Sequence, residues 1–216
     1  MKVLSFDIGI KNLSYCILDE NYKIYDWNIV NLCENLDIKK DKYTIFENIP
    51  KKLDLYNLLD VDVVLLENQP CLKNPTMKTI QIIIYTYFVI NGLHKENSPI
   101  SKILFISAKN KLSFYDGPPI ECNLKSKYSQ TKYLGKEYTK YYLKDNQEKL
   151  DFFNSHKKKD DLSDSYLQGM SYFECELKKK ANKTKKSKKS EIKIIEEVNE
   201  ETIINNDVEV IDCDTN

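Results

Sequence analysis

From residue 1 to residue 30 the apolar positions fall into three short runs, and the breaks between them have turn chemistry. Lys2–Ile8 and Leu13–Leu18 are separated by Gly9–Asn12, and Asp19-Glu20-Asn21 leads into Lys23–Val30. Runs of this length, rich in Val, Ile, Leu, Tyr and Phe, predict three strands, and two short turns in succession make an antiparallel meander. The period then lengthens. Ile38, Tyr43, Ile45, Phe46, Ile49, Leu53, Leu55, Leu58 and Leu59 have helical spacing, which predicts a helix within 38–59, kinked or broken at Pro50. "VDVVLLENQP" (61–70) is a near-continuous apolar run, the pattern of a strand covered on both faces.

Pro75 opens a helix over roughly 75–94, and Lys102–Ser107 forms a fifth strand. Residues 108–130 are polar and contain Asp116-Gly117-Pro118-Pro119, the signature of a loop. Further helices are expected over 132–142 and from Asp160 or Asp161 to about Leu177. "KKKANKTKKSKKSEIK" (178–193) is then a lysine run, and 194–216 is acidic. Such a segment buries too little apolar surface to fold alone, so the expected organisation is one domain, 1–177, and a disordered tail, 178–216. Three strands, helix, strand, helix, strand and further helices predict an α/β fold with a mixed five-stranded sheet flanked by helices.

Composition narrows the partners. The 216 residues have a formal net charge of zero, and all 33 basic residues are lysine. Without arginine there are no bidentate forks for phosphate, so contact with nucleic acid relies on lysine point charges, backbone N–H groups and aromatic rings. The six cysteines include no C-x-x-C pair, which fits a reduced, intracellular protein and argues against a zinc ribbon or a disulfide framework. The chain opens directly on a strand pattern, so no signal peptide is expected. The longest apolar run, Ile80 to Gly92, is too short to span a bilayer and reads as a buried helix.

One position resists the pattern. Asp7 places a carboxylate at the end of an apolar strand, a costly site for a lone charge. Two other acidic sites share this character. Glu67 ends the "VVLLE" strand, and Asp160, Asp161 and Asp164 open the last helix in "KKKDDLSDSYLQGM". Positions 161 and 164 share a helix face, as do 160 and 164. Leu162, Tyr166, Gly169, Met170 and Phe173 form the opposite apolar stripe, expected to dock the helix on the sheet edge. If Asp7 and Glu67 lie on adjacent strands, the carboxylates converge. Converging carboxylates repel unless cations occupy the site, and oxygen-only ligands select hard ions, Mg²⁺ or Mn²⁺. Two such ions activate a water and stabilise a leaving 3′ oxygen in phosphodiester hydrolysis. Taken singly, Asp7 is ordinary turn chemistry, Glu67 a solvated strand end, and the aspartates at 160 and 161 helix-start acids.

These motifs carry a resemblance. "SFDIGIKNLSYCIL" resembles the first-strand motif of RuvC-like nucleases of the ribonuclease H fold, "VVLLENQP" their second-acid strand, and "KKKDDLSDSYLQG" their closing D-x-x-D helix. Asn12-Leu13-Ser14, Glu67-Asn68-Gln69-Pro70 and Lys159-Asp160-Asp161 look closest to the poxvirus and mitochondrial Holliday junction resolvases. The resemblance covers about residues 1–177 and implies a ribonuclease H-like fold. It implies metal ligands at Asp7, Glu67, Asp161 and Asp164, with Asp160 as a second choice, and two Mg²⁺ ions per site, replaceable by Mn²⁺. An active-site lysine is implied after the fifth strand, at Lys109 or else Lys111. The implied protein is a homodimer that cuts four-way DNA junctions by symmetric paired nicks, without a nucleotide cofactor or a membrane. The setting implied is a viral replication site in host cytoplasm, or a mitochondrion.

Other features stay open. Asn68-Gln69-Pro70 is either a DNA contact or a turn after a strand. Lys73 and Lys78 stand near a helix N-terminus, where phosphates bind, though a solvated helix start has the same pattern. The helix at 80–93 is core or a dimer interface. Tyr128, Tyr133, Tyr138, Tyr141 and Tyr142 interleave with lysines, as in single-strand binders or in a helix with a tyrosine core face. The alternatives in function are a ribonuclease H or flap nuclease of the same fold, and a non-catalytic nucleic-acid-binding module. An actin-like phosphotransferase needs a second Gly-rich loop, and the five glycines form no such motif.

Overall fold

The computed structural model describes residues 1–107 and 111–178, and its compact body is Met1–Phe173. Five strands, β1 (Lys2–Asp7), β2 (Leu13–Asp19), β3 (Ile24–Val30), β4 (Val63–Glu67) and β5 (Lys102–Ile106), form one sheet in the order β3-β2-β1-β4-β5. β1, β2 and β3 are the expected antiparallel meander, while β1, β4 and β5 run parallel. The meander closes tightly at Gly9, where a Cβ would stand 2.4 Å from the Asn12 carbonyl oxygen. Parallel neighbours need crossovers, and α1 (Lys42–Leu53) and α2 (Pro75–Phe88) lie in them. α3 (Lys127–Tyr142), α4 (Gln147–Ser155) and α5 (159–178) follow.

Strand parity divides the core in two. Leu4 and Phe6 of β1, with Val64 and Leu66 of β4, pack beneath Ile45, Ile49 and Leu53 of α1 and Ile80, Ile84 and Phe88 of α2. Val3 of β1, with Val63 and Leu65 of β4, faces the other way and joins Leu18, Trp27, Phe153 of α4, and Leu162, Tyr166, Met170 and Phe173 of α5. The apolar stripe of the last helix is thus buried as expected. It docks across the sheet face over β1–β3, however, and not on the sheet edge: Ser165 meets Ser14 of β2, and Trp27 of β3 donates its indole N–H to the Leu162 carbonyl.

Several boundaries differ from the periodicity. α1 is shorter than 38–59, because Asp37 accepts from the Lys39 and Lys40 amides in a turn that competes with helix. Pro50 does not break it; the helix continues one further turn to Leu53. α2 ends at Phe88 and widens into a π-type turn, Val89–Leu93. α3 begins at Lys127, inside the expected loop, because Ser126 caps it by accepting from the Ser129 amide. α4 was invisible to periodicity: it is capped by Asn146 and its one buried side chain is Phe153, stacked on Trp27 with centroids 5.6 Å apart. Cys16, Cys33, Cys71, Cys122 and Cys175 are free thiols. Among the described residues no helix is long and apolar enough to cross a membrane. The tail expected from 178 lies, from 179 onward, outside the described residues.

Candidate active site

The parity that sorts the core also aims the acids. Asp7 alternates with Ser5 and Val3, and Glu67 with Leu65 and Val63, so both side chains fall on the α5 face. Phe6 pairs with Leu66, which leaves the following residues, Asp7 and Glu67, at one level on adjacent strands. Glu67 in turn stands opposite Ile106 of β5. Three parallel strands therefore end together, and the crevice beyond such carboxyl ends is where open α/β sheets bind ligands.

Buried hydrogen bonds fix α5 over this point. Gln168 Nε2 donates to Ser5 Oγ at 3.0 Å and to the Phe6 carbonyl, next to Asp7, at 3.1 Å. Ser165 and Ser14 hydroxyls bond at 2.8 Å. The helix also lies close to β2, since a Cβ at Gly169 would stand 2.5 Å from Leu18 Cδ2. One turn before Gln168, Asp164 looks onto Asp7 and Glu67.

The electrostatics follow from that crowding. Protein surrounding the Asp7 carboxyl, its shared hydrogen bond with Glu67 and the charge of Asp164 hold it well above the ordinary carboxylate range, against the opposing pull of Lys111. Lys111 Nζ lies 2.8 Å from Asp164 Oδ1. Burial works against that ammonium, but Asp164, Asp7 and Glu67 together outweigh it and raise its pKa. Burial also lifts Asp164, and Lys111 offsets this only in part. Asp161 is raised by burial and by neighbouring Asp160. Asp160 turns outward to Lys132 of α3; burial works upward, yet this ion pair leaves its carboxyl below the usual value.

The structure thus gathers Asp7, Glu67 and Asp164 around Lys111, places Asp161 beside Asp164, and pairs Asp160 elsewhere. Lys109 lies outside the described residues; the lysine seen among the acids is its alternate, Lys111. Among the described residues no three His, Cys, Asp or Glu side chains form a ready cation cage, and the Lys111 ammonium stands against Asp164. The donor set nevertheless fits a hard divalent cation. All its donors are carboxylate oxygens, Asp7 and Asp164 carry repulsion that a cation relieves, and Asp161 Oδ2 is buried with no hydrogen-bond partner. Sequence reasoning missed Ser5, Ser14, Ser165 and Gln168. Their signal was present as polar residues at positions whose parity or helical phase is apolar.

Sheet order and carboxylate placement define an α/β protein of the ribonuclease H-like class. No protein-family model matches the chain. The Holliday junction resolvase of fowlpox virus is 32% identical over 183 residues, spanning 83% of this chain and 96% of that protein. Uncharacterized protein L451 of Acanthamoeba polyphaga mimivirus is 36% identical over 140 residues, 62% of this chain; the match spans 34% of L451. In structure, the yeast mitochondrial Holliday junction resolvase Ydc2 superposes with a TM-score of 0.58 at 23% identity, covering 85% of each chain. The fowlpox resolvase solved with its Holliday junction substrate gives a TM-score of 0.54 at 24% identity, covering 82% of this chain and 99% of that one. The chain belongs to the Holliday junction resolvase family.

Proposed function

We propose that this protein is a metal-dependent endonuclease that resolves four-way DNA junctions by paired, symmetric nicks. The observation that carries the reading is the meeting of Asp7, Glu67 and Asp164 with Lys111 at the ends of three parallel strands, in a chain of the resolvase family. Asp7, Glu67, Asp161 and Asp164 would hold two Mg²⁺ ions, or Mn²⁺ in their place. Bound there, such ions lower the pKa of water and stabilise charge on the leaving 3′ oxygen. The chain's own part is to orient. β1 and β4 fix two carboxylates at one height, α5 brings the others over them, and Lys111 presents an ammonium toward the scissile phosphate. Asp160, held by Lys132, lies outside the ligand set. The products are 5′-phosphate and 3′-hydroxyl ends.

Paired nicking needs two sites, and we read the protein as a homodimer. The outer side of α2 and its π-type turn exposes Ile82, Ile90 and Leu93, apolar residues suited to a second copy. Sedimentation as a single 25.4 kDa chain at micromolar concentration would remove the dimer. We read the setting as a viral replication site in host cytoplasm, or a mitochondrion; a fowlpox virus relative and a yeast mitochondrial structural neighbour support that reading.

The test is cleavage with Mg²⁺ of a labelled mobile four-way junction, beside linear duplex, a flap and an RNA–DNA hybrid. Expected are symmetric nicks in the junction alone, lost in Asp7→Asn while junction binding persists. Preferential cutting of the hybrid or flap moves the protein to another nuclease class, and unchanged cutting by Asp7→Asn overturns the site.

A further inference from the structure

Three lysines surround the strand ends, and two have their charge answered. Lys111 faces Asp164, and Lys132 faces Asp160. Lys78, on α2, is different. Its Nζ lies 3.2 Å from Asn68 Oδ1 and 3.0 Å from Gln81 Oε1. It also sits over the Phe105 ring, 5.3 Å from the centroid. Among the described residues no carboxylate pairs with it. Amide oxygens accept an ammonium's protons without cancelling its charge, so Lys78 is a cation held in place and left un-neutralised. Two of its three N–H donors are engaged, and the third remains for a ligand.

The holder is itself a built feature. Gln81 is completely buried among the apolar residues of α2. Its Oε1 also accepts from the Gln69 backbone N–H at 3.0 Å. Two donors on one oxygen fix the orientation of the amide. The consequence is a buried Nε2 with no hydrogen-bond partner. A protein rarely leaves such a donor unpaired without reason. Asn68, the second holder, follows Glu67 directly, so the ammonium stands at the rim of the carboxylate centre. No carboxylate among the described residues neutralises this half-buried lysine; what is built is a positive charge held in place beside Glu67.

We propose that Lys78, clamped by Asn68 and Gln81, is the seat for a backbone phosphodiester of the cut strand that flanks the scissile phosphate. Gln81 and Asn68 are positioning residues. The inference rests on the nuclease reading and assigns this strand one fixed contact beside the carboxylates. It does not depend on which branched DNA is cut.

The experiment is a cycle between protein and DNA. Single neutral methylphosphonate linkages are walked along the cut strand of the junction, and cleavage by wild type is compared with Lys78→Met. At one flanking position the neutral linkage should slow wild type by about tenfold, while costing Lys78→Met less than about twofold, the coupling expected of a direct charged contact. Gln81→Glu keeps the shape of the clamp but places a carboxylate on the ammonium. It should repeat the Lys78→Met pattern, with Lys78→Met remaining decisive if the buried glutamate unfolds the chain. Equal penalties in wild type and Lys78→Met at every linkage would overturn the seat. A wild type that cuts no DNA would sink the nuclease reading instead. The same cycle is then read on junction affinity, where a penalty present in wild type and missing in Lys78→Met keeps the seat and equal penalties remove it.

Discussion

The two faces of the sheet are built on different rules. Beneath α1 and α2 the buried residues are almost all apolar, and Gln81 is the exception. Beneath α5 the core is interrupted by Ser5, Ser14, Ser165 and Gln168, all buried and hydrogen-bonded across the sheet–helix boundary. Apolar packing rewards contact area and tolerates small shifts of one element over another. A hydrogen bond to one carbonyl does not. The face that needs fixed register is the one whose helix carries Asp161 and Asp164, and that is where the polar contacts lie.

The largest expected effect is on the apolar face. Phe88 is fully buried against Phe6, with ring centroids 5.7 Å apart. Phe88→Ala should cost about 3–5 kcal/mol in denaturant unfolding, yet cleavage per folded molecule should be unchanged. Gln168→Leu should cost less, about 1–3 kcal/mol, because it strands Ser5 Oγ and the Phe6 carbonyl. Its effect on function should be the larger. Single-turnover cleavage per folded molecule should fall and the Mg²⁺ concentration for half-maximal rate should rise, with Gln168→Glu not restoring either. If both variants lose activity only in proportion to unfolded protein, the two faces do the same work and the distinction fails.

This division explains what the sequence could disclose. The five strands and the antiparallel meander of the first three were legible because apolar runs and turn residues are local signals, and Asp7 and Glu67 stood out as carboxylates ending apolar runs; that β4 lies beside β1 is a long-range pairing the sequence left as a condition. The register of α5 was not legible. It depends on Gln168 reaching a carbonyl 162 positions away in the chain, and no periodicity reports such a contact. The apolar stripe of α5 announced that the helix docks, but the stripe alone was compatible with the sheet edge; Ser165 and Trp27 decide for the face. α4 escaped notice because a nine-residue helix with one buried side chain has no period to detect. The lysine of the site was ambiguous for a related reason. Lys109 and Lys111 share a parity along the chain, so the sequence pattern does not separate them, and the contact of Lys111 with Asp164 is a long-range one that no local signal reports.

The smallest expected effect has the opposite sign and lies where the two faces' rules meet. Asp7 ends a buried strand, and its carboxyl is held well above the ordinary range by burial, by Glu67 and by Asp164. An acid whose folded pKa is raised binds its proton more tightly folded than unfolded, so its ionisation costs stability as pH climbs from the ordinary carboxylate range. Asp7→Asn removes that charge while nearly keeping the shape. In EDTA the variant should therefore be more stable than wild type near neutral pH, by about 0.5–2 kcal/mol, as is usual when a strained site is relaxed. The gain should shrink as pH falls, because wild-type Asp7 then carries its own proton. Mg²⁺ should reverse the order, since an ion that binds the folded wild type stabilises it by mass action and the neutral amide of the variant is a poorer ligand. Thermal melts at two pH values, with EDTA and with Mg²⁺, read all three effects. A variant less stable than wild type in EDTA near neutral pH would show that the strand end tolerates its carboxylate without a cation, and a metal at Asp7 would have no energetic basis.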